Sequence, residues 1–502
     1  MTGERSFPYG ALAVALLLAG LTALGSAMER PAPLRQQPAS VEVVGSTAVC
    51  PDLRQRPGLL ASRASVGATP LPPGRSQSAQ VTGRVEVLSN GAPGAPSTLG
   101  VTGPGQVAVG IGTNVDKEAL VFSASGVLAA GLEAEQVTRG EAGRDRGLAG
   151  LRCNAPRTEA WFLGGATQTG DESILVLANV DDTPSTVDVT LFTAKGAADP
   201  RPGQGITIEP HTRQIISLDT FAPDRGLLAV HVLSRRGRVA AGLRYSRVEG
   251  LTPVGVEWIP QSVPPATRVV VPGIPQGGNG QRTILITNPG TDDTTVAVQI
   301  TTADAQFVPT GLDHLVVPAG TTVTARLDNE SRSSAIAATV VSDGAPVLAG
   351  GMVRDAQSGS PIREIAYTAG SLPLSGPALL TDLVINRPTE STLILSAPKE
   401  GATVLVTPIR VLGTVGALPA PKSVKIAGGR TATLRLSTFY PPGADAKLAL
   451  EVRPLPGSGP VYAARYLREH GAHGPLTTLL DLQGPAQLVG RPVVAQDPRL
   501  GS

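Results

Sequence analysis

Apolar and polar residues alternate with a period of two along much of this chain, and the alternation recurs in blocks. Thr186-Val-Asp-Val-Thr-Leu-Phe192 sets Val187, Val189 and Leu191 on one side of an extended backbone and polar groups on the other. Only a half-buried strand uses that spacing. Thr295-Val-Ala-Val-Gln-Ile300 repeats it in the next block. Shorter and more wholly apolar runs precede them: Ile174-Leu-Val-Leu-Ala-Asn179, Ile284-Leu-Ile-Thr-Asn288 and Leu393-Ile-Leu-Ser-Ala397. Asn179, Asn288 and Ala397 are spaced by 109 residues each time. A second mark follows each run, around Val239-Ala-Ala-Gly242, Val347-Leu-Ala-Gly350 and Val461-Tyr-Ala-Ala464, with an upstream copy at Val127-Leu-Ala-Ala-Gly131. Helical periodicity is missing after residue 28.

These marks predict an all-β chain of about four tandem immunoglobulin-like β-sandwich domains, each near 110 residues and about seven strands. The boundaries fall at 41–150, 151–262, 263–372 and 373–482, with a C-terminal extension over 483–502. Gln261-Ser-Val-Pro-Pro265 and Ser371-Leu-Pro-Leu-Ser-Gly376 are short links stiffened by proline, which predicts a rod of limited bending. Within the first block, residues 51–80 read as a long irregular loop, because Pro70, Pro72 and Pro73 stand among many Ser and Arg. In the second block, the runs Leu227-Leu-Ala-Val-His-Val-Leu233 and Val239 to Tyr245 read as a hairpin-like closing pair.

One apolar run precedes the blocks. No charge occurs between Ser6 and Met28, and Ala11 to Leu24 is its heart. A bilayer-crossing helix needs about 20 such residues. Residues 1–30 therefore read as an N-terminal signal-anchor helix, with 31–40 a Pro-containing linker. Gly25-Ser26-Ala27 leaves a cleaved secretory signal open as the alternative. Both readings export the remainder, either held to the cytoplasmic membrane through the helix or secreted.

Charge changes this picture little. Lys plus Arg number 42 against 40 acidic residues, and the two signs are interspersed. Without a basic run or a stacking set of aromatics, nucleic acid is not an expected partner. Export gives the two cysteines a meaning: Cys50 and Cys153 are expected to form one disulfide around the first block.

Catalytic chemistry finds little support. The chain has no Gly-x-Ser-x-Gly elbow, Gly110-Ile-Gly112 lacks a third glycine, and Gly277-Gly-Asn-Gly280 reads as a loop, so no cofactor is expected. His211, His231 and His314 are scattered, and the one local cluster, Glu469-His470 with His473, is too thin for a zinc site. Asp181-Asp182 and Asp292-Asp293 suit turns, where short carboxylates belong. No catalytic, cofactor-binding or metal residue is nominated. For a sugar platform the chain offers Trp161, Trp258 and six tyrosines; Trp161 reads as core, and Tyr462 and Tyr466 are the best remaining aromatic candidates.

The N-terminal apolar segment, Cys50-Pro51, the stretch from Cys153 to Trp161-Phe-Leu-Gly-Gly165 and the repeated Asn-ended strands resemble a family of uncharacterised actinobacterial envelope proteins. These are membrane-anchored, exported and built from β-sandwich repeats. The resemblance runs from about residue 41 to the end and carries no activity with it. Ala397 departs from it where Asn is expected. Two functions are expected on these grounds. One is a non-enzymatic structural or interaction protein of the cell envelope; the other is a polysaccharide- or peptidoglycan-binding accessory of wall assembly. The partner is an envelope protein or a cell-wall polymer.

Overall fold

The computed structural model describes residues 40–490 except 52–58, 71–84, 90–98, 113–118, 278–279, 357–362, 386–388, 441–445, 472 and 485–487. Two compact units result. Residues 42–487 form one; residues 1–41 with 488–502 form the other, in which strand Leu488–Gly490 pairs with strand Ser40–Glu42. The predicted N-terminal helix, the linker up to residue 39 and the extension beyond 490 lie outside the described residues. Among the described residues no helix is long and apolar enough to cross a membrane.

The large unit is all-β, and its sheets group into four modules of two sheets each. One sheet has the same strand order every time. In the second module it runs Thr212–Ser217, Asp171–Asn179, Ala240–Glu249, Thr252–Ile259, and in the fourth Arg430–Arg435, Thr389–Ala397, Tyr462–Gly471, Gly474–Leu482. The alternating strand Ser185–Thr193 belongs to the opposing sheet of the second module. Its Val187, Val189 and Leu191 meet Leu175 and Leu177 in the module core. Period-two patterning thus does what it predicts.

The wholly apolar runs have a different cause. On Asp171–Asn179, Leu175 and Leu177 face the module's own core, while Ile174 and Val176 pack on Ala149, Leu151, Val256 and Trp258. On Gln281–Thr287, Ile284 and Ile286 face the third module's core and Leu285 joins the second module's. A strand buried on both faces needs apolar residues on both. The second face is an inter-module contact.

The modules therefore do not form a rod. The last strand of each repeated sheet lies at the centre: Gly147–Arg152, Thr252–Ile259, Arg363–Ala369 and Gly474–Leu482, each against the next and the fourth against the first. Close approach requires small residues here. Gly255 has φ +136, and a Cβ on it would stand 2.6 Å from the Ile365 nitrogen. Fourth-to-first closure is polar as well as apolar. Arg63 binds Asp382 at 2.8 Å, Ser65 and Thr381 share a 2.6 Å hydrogen bond, and Val107, Leu379, Val411 and Ala449 pack together. Short proline-bearing links stiffen a tight return path as well as a straight one.

Two local expectations also fail. Within 51–80, Leu59–Ala68 is a central ten-residue strand. Its inward residues Ala64, Val66 and Ala68 are mostly too small to register as an apolar face, yet all are buried. The expected hairpin does not exist, because strands Leu228–Arg236 and Ala240–Glu249 belong to opposite sheets of the second module. A chain that crosses between layers shows the same alternation as one that turns back.

Candidate functional site

A cleft of about 940 Å³ opens between the third and fourth modules. Its fourth-module wall is one face of the sheet built on Thr389–Ala397. Register shows why these side chains meet. Glu390 lies opposite Arg468, Thr392 lies between Arg435 and Tyr466, and Ile394 lies between Thr433 and Ala464. Directly paired residues share a face, as do residues two apart on one strand. Leu393 and Leu395 point the other way, into the module core. The sequence Thr389-Glu-Ser-Thr-Leu-Ile-Leu-Ser396 therefore gives one apolar face and one mixed face.

The third-module wall centres on Arg282, which is 1% exposed and has every guanidinium nitrogen engaged. It donates to the carbonyls of Pro275, Gln276, Gln281 and Arg354 at 3.0–3.2 Å, and to Asp355 Oδ1 at 2.7 Å. Asp355 Oδ2 in turn accepts the Tyr466 hydroxyl at 2.6 Å. Burial, then the neighbouring Asp355 carboxylate, hold the Tyr466 phenol well above its ordinary pKa, so it stays a donor. Ser333, Ser334 and Ser437 add hydroxyls around the rim.

A second polar assembly occupies the axis. Glu257, fully buried, accepts hydrogen bonds from the Gly150, Trp258 and Leu479 amides and from the Thr478 hydroxyl, at 2.7–3.2 Å. One carboxylate thereby joins three modules. Burial pushes its pKa up against those four donors. Arg146 pairs with Glu364 and also donates to the His473 and Pro475 carbonyls. Burial pushes Glu364 up to about 8, opposed by Arg146. Glu135, against Arg465 at 3.7 Å, is pushed up to about 7 by burial. These groups are enclosed and interlocked, which suits holding modules together.

The sequence candidates fare unevenly. Cys50 and Cys153 form a disulfide, Cα to Cα 4.4 Å, closing 103 residues. Trp161 and Trp258 are buried, and Trp161 stacks on His231 with ring centroids 3.7 Å apart. Tyr466 reaches the cleft, whereas Tyr462 does not line it. The Glu469, His470 and His473 cluster comes apart, because Glu469 is buried between Arg63 and Arg139 while His470 is exposed. No group of three or more His, Cys, Asp or Glu fit for a metal occurs among the described residues. Asp181 is held by Arg238 and Asp182 by His211, consistent with turns. Arg282, Asp355, Arg435 and Arg468 carried no signal in sequence, because their strands belong to different modules until the modules pack.

The repeated Asn has a structural use. Asn179 Nδ2 donates to the Thr183 and Ile208 carbonyls, and Asn288 Nδ2 to those of Asp292 and Val317, at 2.8–3.0 Å in both cases. Each Oδ1 accepts the amide two residues on, at 3.0 Å. Both side chains are buried fasteners of a turn.

No curated protein and no solved structure matches the chain. A family model does, over residues 109–437, which spans the second and third modules with parts of the other two. The chain belongs to the family of unknown function DUF5719.

Proposed function

We propose that this chain is a non-enzymatic interaction protein of the cell envelope, exported and held at the cytoplasmic membrane by its N-terminal segment. In this reading four immunoglobulin-like sandwich modules form a rigid frame, and the cleft between the third and fourth is its ligand seat. A disulfide at Cys50–Cys153 and the uncharged run between Ser6 and Met28 support export. The polymer-binding form of this function has a specific observation behind it. The cleft places Tyr466, fixed by its bond to Asp355, beside Thr392, Thr433, Ser437 and Arg435, which makes no ion pair among the described residues. An aromatic edge with converging hydroxyls and charges suits a hydroxyl-rich chain more than an apolar one.

Binding of the full-length protein to purified wall polysaccharide and peptidoglycan tests this. Saturable binding weakened by Tyr466→Ala or Thr392→Val supports the reading. Binding untouched by either substitution, or absent throughout, ends it.

A further inference from the structure

We infer that the cleft seats an anionic glycan, a hydroxylated polymer bearing carboxylate or phosphate groups, and that Arg435 and Arg468 receive its charges. This rests on the reading of the cleft as the ligand seat.

Most of the buried guanidinium groups in this protein sit against a carboxylate. Arg63, Arg146, Arg152, Arg244, Arg282 and Arg465 each face a carboxylate within ion-pair distance. Arg468 does not. It is half-buried, its Nε is shielded from solvent with no hydrogen-bond partner, and it makes no ion pair among the described residues. A shielded donor left unmade costs about 1–3 kcal/mol. Arg435 on the same face is exposed and likewise makes no side-chain hydrogen bond or ion pair among the described residues. Glu390, opposite Arg468 in register, is exposed and bridges neither. Asp355 is committed to Arg282 and Tyr466. Among the cleft's charged side chains, Arg282 and Asp355 cancel, and two arginines stand against Glu390, a net single positive charge.

The company of the two arginines then favours a hydroxylated polymer over a small anion. Arg435 and Arg468 lie on strands either side of Thr389–Ala397, displaced by two residues along it. Standard strand geometry separates their backbone positions by roughly 12 Å. Long arginine side chains can meet at one anion across that span, so the preference for a chain rests on the threonine hydroxyls that share the face with both charges. Thr392 lies between them on the same face, and Thr433 lies beyond Arg435 on that face, both ready to bind hydroxyls.

The test compares three probes on the full-length protein: polygalacturonate for carboxylate, poly(glycerol phosphate) for phosphodiester and dextran as the neutral control. The expected result is binding of one or both anionic chains, with dextran at least tenfold weaker and affinity falling as salt rises. Which anionic chain binds identifies the source of charge. Arg435→Gln with Arg468→Gln should weaken that binding at least tenfold, and Arg468→Lys should restore part of it. Arg435→Glu, at an exposed position, gives the same readout without risk to folding. Equal binding of dextran that Thr392→Val abolishes overturns the anionic assignment and leaves the cleft reading standing. Anionic binding indifferent to both arginines overturns the assignment, and no binding by any probe overturns both.

Discussion

The Tyr466 hydroxyl donates to Asp355 Oδ2 at 2.6 Å, joining the fourth module to the third at the floor of the cleft. The two residues are 111 positions apart in the chain. Arg282 holds the other oxygen of Asp355, so a buried cation, a carboxylate and a phenol run in line across the seam. The cleft keeps its shape because its walls are bonded to each other at that point.

Tyr466→Phe removes the hydroxyl and leaves Asp355 Oδ2 without its donor. A destabilisation of about 1–3 kcal/mol is expected. A thermal-unfolding double-mutant cycle with Asp355→Asn should show strong coupling between the positions. Additive effects would mean that the bond does not hold the seam.

Asn179→Ala and Asn288→Ala each strip donors from two carbonyls in a buried turn. Each should cost on the order of 2–3 kcal/mol in chemical denaturation. At the equivalent position the fourth module has Ala397, fully buried, and makes its turn without this fastener. Loss below about 0.5 kcal/mol at either asparagine would contradict the assigned role.

Stability should fall as pH rises from about 4.5 to 8. In the folded protein Glu364 titrates at about 8 and Glu135 at about 7, because burial disfavours their charged forms. Unfolded, both return to about 4.3. Across that window the folded state holds protons that the unfolded state has released, so their stabilisation is complete below it and lost above it. Asp181, Asp188 and Asp199, held low in the fold, give the opposite slope at more acid pH. His231, lowered by burial, opposes the fall below about pH 6.5 but is one group against the raised Glu135, Glu257 and Glu364. Melting at pH 5 and pH 8.5 checks this, and Glu364→Gln should flatten the difference. A melting temperature that rises across the window would reject it.

Opening Cys50–Cys153 releases a loop of 103 residues. The chain-entropy model puts the loss at up to about 4–5 kcal/mol. Cys50→Ser with Cys153→Ser should therefore lower the denaturation midpoint. In intact cells both thiols should resist alkylation until a reductant is added. Ready alkylation in untreated cells would argue against export.

How much of this was legible follows from where each signal sits. Val187, Val189 and Leu191 declare a strand because alternation is local, and the 109-residue recurrence of Asn179 and Asn288 declares repeated modules. The strand Leu59–Ala68 stayed hidden because alanine and serine bury without looking apolar. Ile174 and Val176 did carry a trace of the packed arrangement, since an apolar second face needs a cover. Nothing local says that the cover is another module.

Chain order alone determined the strand content and the cysteine pair, which depend on near neighbours or on counting. Only the tertiary structure decided that the fourth module returns to the first and that Glu257 joins three modules. It also decided that Arg282, Asp355, Arg435, Tyr466 and Arg468 share one cleft. The reason is physical. A buried carboxylate or an inter-module hydrogen bond takes its energy from groups more than a hundred residues away. Sequence spacing holds no record of which of them will be brought within 3 Å.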